Sequence, residues 1–179
     1  MTSAAHPELL RYAIAPCDLG LVLLAHSAHG VRALLLGDEA EALRADLQRR
    51  CPLAQLQEDA EGLASWMAEA VSMVTEPASG RRWTLDLVGT AFQQRVWQAL
   101  REVPAGATVT YAELARRIGA PTSSRAVAQA CGANPVAVAV PCHRVVRGDG
   151  GLAGFRWGLA RKAALLRREA QRQPDLAWA

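Results

Sequence analysis

The stretch Thr110-Tyr111-Ala112-Glu113-Leu114-Ala115-Arg116-Arg117-Ile118-Gly119-Ala120-Pro121-Thr122-Ser123-Ser124-Arg125-Ala126-Val127-Ala128-Gln129-Ala130-Cys131 decides how this chain folds. Thr110 and Glu113 have the spacing of a capping box, in which the hydroxyl takes the third helical N–H and the carboxylate reaches back to the cap. The helix launched there runs through Leu114, Ala115 and Ile118 and is ended by Gly119 in the C′ position. Pro121 to Ser124 supply a turn and a second cap, after which 125–131 continue as another helix. Two short helices joined by a Gly/Pro turn make a helix-turn-helix. Its second helix carries Ala126, Ala128, Ala130, Gly132 and Ala133 around a single cation, Arg125. A helix stripped of bulk either packs closely in a core or lies close against another surface. The basic surroundings favour DNA contact, made through backbone and shape because few long polar side chains remain to read base edges.

Working upstream, Thr90-Ala91-Phe92-Gln93 repeats the capping device. An apolar stripe of Phe92, Val96, Trp97 and Leu100 follows, and Pro104-Ala105-Gly106 closes that helix. The Gly89/Thr90 boundary also divides the charge. Through Gly89 there are seven Arg against twelve Asp and Glu, and beyond it thirteen Lys and Arg against five Asp and Glu, so the halves carry −5 and +8 within a net +3. Such asymmetry points to an anionic partner for the second half, nucleic acid first and membrane surface second. Arg outnumbers Lys by 19 to 1, which reads as composition bias.

The first half reads as a small α/β module. Short apolar runs at 10–15, 21–25 and 31–36, separated by turn-forming residues, predict three antiparallel strands in a meander. Ala42, Leu43 and Leu47 then mark an amphipathic helix, with Asp38 as its N-cap and Pro52 as its stop. Within it, Arg49-Arg50 reads as a solvated face. A second helix is expected over 59–74, with Leu63, Met67, Ala70 and Val74 on one stripe. Residues 76–80 form a linker by composition, and 83–88 could add one more strand. His6, His26 and His29 with Cys17 match no familiar ligand spacing, so no metal is expected.

With 179 residues, 51% hydrophobic and 21% charged, the chain has the apolar mass for a packed core, which excludes disorder. Four dispersed cysteines without a C-x-x-C pair, and an N-terminus without a signal-peptide pattern, read as an intracellular, reduced protein. Apolar runs are broken well short of a membrane span.

The chemistry sits at Asn134-Pro135-Val136-Ala137-Val138-Ala139-Val140-Pro141-Cys142-His143-Arg144-Val145-Val146. An apolar, buried run delivers Cys142, a nucleophile flanked by two groups able to favour its thiolate. In an extended chain adjacent side chains point to opposite sides, so a water bridging Cys142 and His143 is as plausible as direct contact. Taken alone, a lone intracellular Cys is more often a buried hydrophobe.

The run Pro141-Cys142-His143-Arg144-Val145, preceded by Asn134-Pro135 and the helix-turn-helix and followed by Gly148, Gly150, Gly154, Arg161-Lys162 and Glu169, closely resembles the O6-alkylguanine-DNA alkyltransferases. Within them it is most similar to the bacterial adaptive-response type, in its alkyltransferase half. The resemblance is dense over 89–169 and weaker over 12–36. It implies an α/β, ribonuclease-H-like module over 1–88 and a mostly helical, winged-helix-like DNA-binding domain over 89–179. It further implies DNA repair by irreversible, single-turnover transfer of an alkyl group from guanine O6, and from thymine O4, to the chain's own Cys142. His143 then resembles the base acting on the thiol through water, Glu169 the carboxylate orienting it, Asn134 the hinge bracing the helix-turn-helix, and Tyr111 the donor to the departing guanine. Arg125 resembles the side chain that enters the base stack from the minor groove while the damaged nucleotide is flipped. Thr110, Ser123, Ser124, Ala126 and Ala128 fall on the implied DNA face. Cys131, Val145, Phe155, Arg156 and Trp157 fall on the implied substrate pocket. Phe155 stands where many relatives have Tyr, and Trp157 where some have Gly, so a bulky Trp157 beside the pocket is expected to exclude large adducts. The expected protein is monomeric and cytoplasmic, uses no cofactor or metal, and binds double-stranded DNA. Two other readings use the same residues: a DNA-binding lesion marker, opposed by the presence of Cys142, and a cysteine hydrolase, opposed by the lack of an oxyanion-hole glycine pattern.

Overall fold

A computed structural model describes residues 7–172. The three strands of the meander form as expected: β1 (Leu9–Cys17), β2 (Gly20–His26) and β3 (Val31–Gly37), antiparallel in that order. Helix α1 (Ala40–Arg50) buries Leu43 and Leu47. Its N-cap is Glu39 rather than Asp38, and no side chain caps it. Asp38 instead holds the guanidinium of Arg161 at 2.7 Å, an ion pair invisible to local pattern. After α1 the chain adds a strand the sequence did not announce, β4 (Gln55–Glu58), parallel to β1, giving the order β3-β2-β1-β4. Its polar sequence Gln-Leu-Gln-Glu hides it from any hydrophobic pattern.

Helix α2 (Ala64–Thr75) begins five residues later than the stripe predicts. Asp59 spends its carboxylate on the N–H of Gly62 at 2.8 Å and on Arg11 at 3.0 Å, which builds a turn before the helix. Residues 83–88 make no full strand. They contribute a single parallel bridge, in which Val31 N–H donates to Thr84 at 3.0 Å and Asp86 N–H to Val31 at 2.9 Å.

Both predicted capping boxes form. Thr90 opens α3 (Ala91–Arg101), accepting from Gln93 N–H at 3.1 Å while Gln93 returns to Thr90 N–H at 3.0 Å. Thr110 opens α4 (Tyr111–Arg117) with the same pair of bonds to Glu113, 3.1 and 2.7 Å. Gly119 ends α4 at φ +74°, in a Schellman turn where Ala120 N–H reaches Ala115 at 2.9 Å and Gly119 N–H reaches Arg116 at 3.0 Å. Helix α5 (Ser124–Gly132) follows, but Ser123 caps it without a side-chain bond, its backbone already being turned (φ −103°, ψ 26°). Trp97 ties α3 to α5 by donating its indole N–H to Ala130 at 2.8 Å. A Cβ at Gly89 would lie 2.5 Å from the same indole, so only glycine fits there.

One hydrophobic core runs from the sheet through α3, α4 and α5 to the Cys142 segment. The two halves also share backbone bonds: Leu34 of β3 donates to Pro135 at 3.0 Å and accepts from Ala137 at 2.9 Å. The exposed edge of β3 is thereby covered by the segment that precedes Cys142. A two-stranded parallel pair, β5 (Val109–Thr110) with β6 (Val145–Val146), and the last helix, α6 (Leu159–Gln171), complete the second half.

Candidate active site

The approach to Cys142 is built from tight turns. Ala139 N–H bonds to Ala137 across Val138, at 2.7 Å, and Val138 sits at φ +66°, a left-handed conformation that a β-branched residue seldom adopts. Cys142 N–H bonds to Val140 across Pro141, at 2.8 Å, where the proline ring suits the φ of −82° that this inverse γ-turn requires. Strain of roughly 1–3 kcal/mol at a position like Val138 persists only where the surroundings over-determine it. Here the β3 pairing on one side and Asn134 on the other do so. Asn134 is fully buried and uses its whole amide: Oδ1 accepts from Val136 N–H at 2.9 Å, and Nδ2 donates to Val140 at 2.8 Å and to Cys142 Sγ at 3.1 Å.

Residues 142–144 form one 3-10 turn, not the extended chain expected. The turn sends the two side chains after the cysteine into the core. His143, fully buried, meets Glu169 with Nε2 at 2.7 Å, while its Nδ1 has no protein partner. Arg144 also turns to Glu169, with Nη2 at 2.7 Å and Nε at 3.1 Å, and its Nη1 donates to Val103. It does not flank the thiol as the sequence suggested. Glu169, presented by α6, takes a further bond from Gly106 N–H at 3.2 Å. Burial pushes this carboxyl up, but the bonds from His143 and Arg144 outweigh it and hold it at about 2. Burial also lowers the His143 imidazole despite Glu169, so the ring is neutral near pH 7. Desolvation lifts the Cys142 thiol to about 11, against the Asn134 bond and the Lys162 charge. The resting pair is therefore thiol and imidazole.

Cys142 opens into a cavity of about 140 Å³ lined by Tyr111, Ala128, Cys131, Gly132, Gly154 and Arg156. Burial and the two thiols raise the Tyr111 phenol, which keeps it protonated as a donor. Of the five residues expected around a pocket, Cys131 and Arg156 line this one. Val145 is buried in β6, and Phe155 meets Trp157 edge-on at 5.2 Å. Trp157 lines two other depressions, with Leu36, Gly37 and α1 on one side and Leu19 and Arg161 on the other. The expectation that it stands beside the thiol is thus corrected. Its ring is drawn into packing between the halves.

On the expected DNA face, Arg125 and Ala126 are exposed and Ala128, Ser123, Ser124 and Thr110 half-buried. The Thr110 hydroxyl is already engaged in its cap. Among the described residues no group of three or more His, Cys, Asp or Glu is placed to hold a metal, and His6 lies outside them. No helix there is long and apolar enough to cross a membrane.

Three contributors had no role assigned to them from the sequence. Lys162 is fully buried with its ammonium on the carbonyls of Val145, Ala153 (3.1 Å) and Gly154 (3.4 Å), pinning the loop that walls the cavity. It is the chain's one lysine. A compact ammonium fits three converging carbonyls where a planar guanidinium does not, so the 19-to-1 ratio held a signal at this position. Arg50, expected on a solvated face, is largely buried, bound to Asp46 at 3.1 Å and directed at the Asn134 carbonyl at 3.4 Å. Asp46 also holds Arg156 at 3.0 Å, so α1 of the acidic half reaches the cavity wall.

Residues 91–171 match the family model described as 6-O-methylguanine DNA methyltransferase, DNA binding domain. The chain is 48% identical over 164 residues to the bifunctional transcriptional activator/DNA repair enzyme Ada of Escherichia coli K12, covering 92% of itself and 46% of that protein. It is 54% identical over 90 residues to the methylated-DNA–protein-cysteine methyltransferase of Mycobacterium tuberculosis H37Rv, covering 50% of itself and 54% of that protein. The chain thus spans about half the length of the curated relatives it matches. Among solved structures, M. tuberculosis OGT in complex with DNA superposes with a TM-score of 0.77 at 34% identity, over 92% of this chain and 96% of that one. A match over nearly the whole of both chains, carrying the same two-part fold, places this chain in the O6-methylguanine-DNA methyltransferase family.

Proposed function

We propose that the chain repairs DNA by moving the alkyl group of O6-alkylguanine, and of O4-alkylthymine, onto Cys142 in a single irreversible turnover. The observation that carries this is a buried thiol at the floor of a small cavity, gripped by Asn134 Nδ2 at 3.1 Å and followed directly by a His143–Glu169 pair at 2.7 Å. Burial raises the Cys142 thiol to about 11 and lowers the His143 imidazole, so a free thiolate–imidazolium pair is disfavoured at rest. Proton loss is therefore concerted with attack.

In that step the thiol proton passes through a bridging water to Nδ1 of His143, the nitrogen that Glu169 leaves free. Sulfur forms a bond to the alkyl carbon as the carbon–O6 bond breaks, and the electron pair departs with O6. The Tyr111 hydroxyl donates to guanine N3, and the proton held by His143 then restores the phenol. Exchange with water moves the new proton from N3 to N1, which regenerates guanine, and Cys142 remains as a thioether. Nothing in the step needs a cofactor or metal.

Arg125, the one cation on α5, serves as the wedge that enters the duplex from the minor groove, and Thr110, Ser123, Ser124, Ala126 and Ala128 lie against the backbone. Flipping costs least where O6-alkylation has already removed a pairing proton. Cys131 and Arg156 bound the flipped base. Residues 89–179 form the DNA-binding alkyltransferase domain and 1–88 its acidic support, in a monomeric cytoplasmic protein. Incubation with an O6-methylguanine duplex should add one methyl group to the intact protein mass and none to Cys142→Ala. Binding without an adduct would indicate a lesion marker, and repeated ester turnover a hydrolase. Either result refutes the proposal.

A further inference from the structure

The Cys142 segment has a second face, away from the thiol cavity. There Val138, Ala139, Pro141 and Arg144 form one wall of a cavity of about 280 Å³, closed by the 77–83 linker and the end of α3. Its charges are Arg81, Arg82, Arg101 and Arg144 against Glu102. Among the described residues Arg82 and Arg101 pair with no carboxylate, and Arg101 makes only a 3.5 Å contact to the Trp83 carbonyl. Arg81 reaches Glu69 at 3.6 Å, but that carboxylate oxygen already accepts from Trp83 Nε1 at 2.9 Å. On the same lining, Ser79 Oγ is buried with no hydrogen-bond partner. Two guanidiniums without a carboxylate, Arg82 and Arg101, around a recess that also presents an unpaired hydroxyl, form a site suited to an anion with several acceptors, while Arg144 on its wall is already held by Glu169.

We infer that this cavity binds a terminal phosphate, a phosphomonoester dianion, on the reverse side of the active-site segment. A recess favours a monoester over an internal diester, whose two ester arms would have to leave through its walls. The source is either a free nucleotide or the phosphorylated end of a DNA strand. The site communicates with the relay through Arg144, which walls the cavity and grips Glu169 at 2.7 Å. The Arg144 charge disfavours protonation of His143, so a dianion beside it makes the imidazole a stronger base.

Calorimetric titration of the full chain with deoxyguanosine monophosphate and with inorganic phosphate tests the site without reference to alkyl transfer. Saturable binding that weakens at least about tenfold in Arg82→Ala/Arg101→Ala is expected, because each lost charge-assisted bond is worth about that factor. Ser79→Ala, a milder change, should weaken it severalfold. Tighter binding of a 5′-phosphorylated duplex than of its 5′-hydroxyl twin, lost in the double variant, assigns the strand end as the source, and equal binding assigns the free nucleotide. No saturation by about 10 mM phosphate or nucleotide, or unchanged affinity in the double variant, overturns the inference. The coupling rests on the alkyl transfer proposed above and has its own readout: bound phosphate should move the acid limb of the rate upward in pH. Phosphate binding in a protein that transfers no methyl group would leave this site standing and overturn only the proposed function.

Discussion

Replacing Glu169 with Gln tests the reasoning about the relay most directly. The carboxylate is fully buried and is held at about 2, against an ordinary 4.5, chiefly by His143 and Arg144 working against burial. The difference of about 2.5 units corresponds to about 3 kcal/mol of stability at neutral pH. A second route gives a similar figure: removing one partner of a buried ion pair strands Arg144, which typically costs about 3–5 kcal/mol. Glu169→Gln should therefore lower the unfolding free energy by about 3 kcal/mol at pH 7, or Tm by roughly 6–12 °C for a chain of this size. The pH dependence carries the sign. A carboxyl depressed in the folded state contributes fully above about 4.5, and the contribution is lost as pH falls toward about 2. Urea unfolding of both proteins across that window should show a steep acid limb in the native chain and a shallower one in the variant. A variant within about 0.5 kcal/mol of the native chain at pH 7, or with an unchanged acid limb, refutes the account of Glu169 as the clamp on His143 and Arg144.

Other expectations follow from the same contacts. Asn134→Ala leaves the Val136 N–H and Val140 carbonyl buried without partners, and should cost roughly 2–4 kcal/mol in chemical denaturation while slowing methyl transfer. Lys162→Met removes a charge that favours the Cys142 thiolate, so the thiol's titration by a small alkylating reagent should move up in pH relative to the native chain. Because burial holds His143 below 6.5, the transfer rate should be level from pH 7 to 8, and a rise across that interval would contradict a neutral resting imidazole. Trp157→Gly should destabilise by about 3–5 kcal/mol in thermal unfolding and leave the benzyl-to-methyl rate ratio unchanged, since the ring packs on Phe155 and lines other depressions than that of Cys142.

What the sequence determined by itself is everything enforced over a few neighbouring residues. Thr90 with Gln93, Thr110 with Glu113, and Gly119 fixed where α3 and α4 start and where α4 stops, because caps act within one turn of the chain. Alternation of apolar runs gave the meander, and the run ending in Pro141-Cys142-His143-Arg144 marked the reactive segment. Interactions across long separations were not legible. Asp38 left its cap for Arg161, 123 residues away, and β4 formed from polar residues because β1 offered an edge. Tertiary structure likewise chose the side on which each side chain works: the 3-10 turn sent Arg144 to Glu169 rather than to the thiol, buried Lys162 among carbonyls, and moved Trp157 away from the cavity. A motif states which groups are near one another along the chain. Their protonation and their partners depend on burial and on residues brought from elsewhere, and here those came from α6 for Glu169 and from α1 for Arg50 and Asp46.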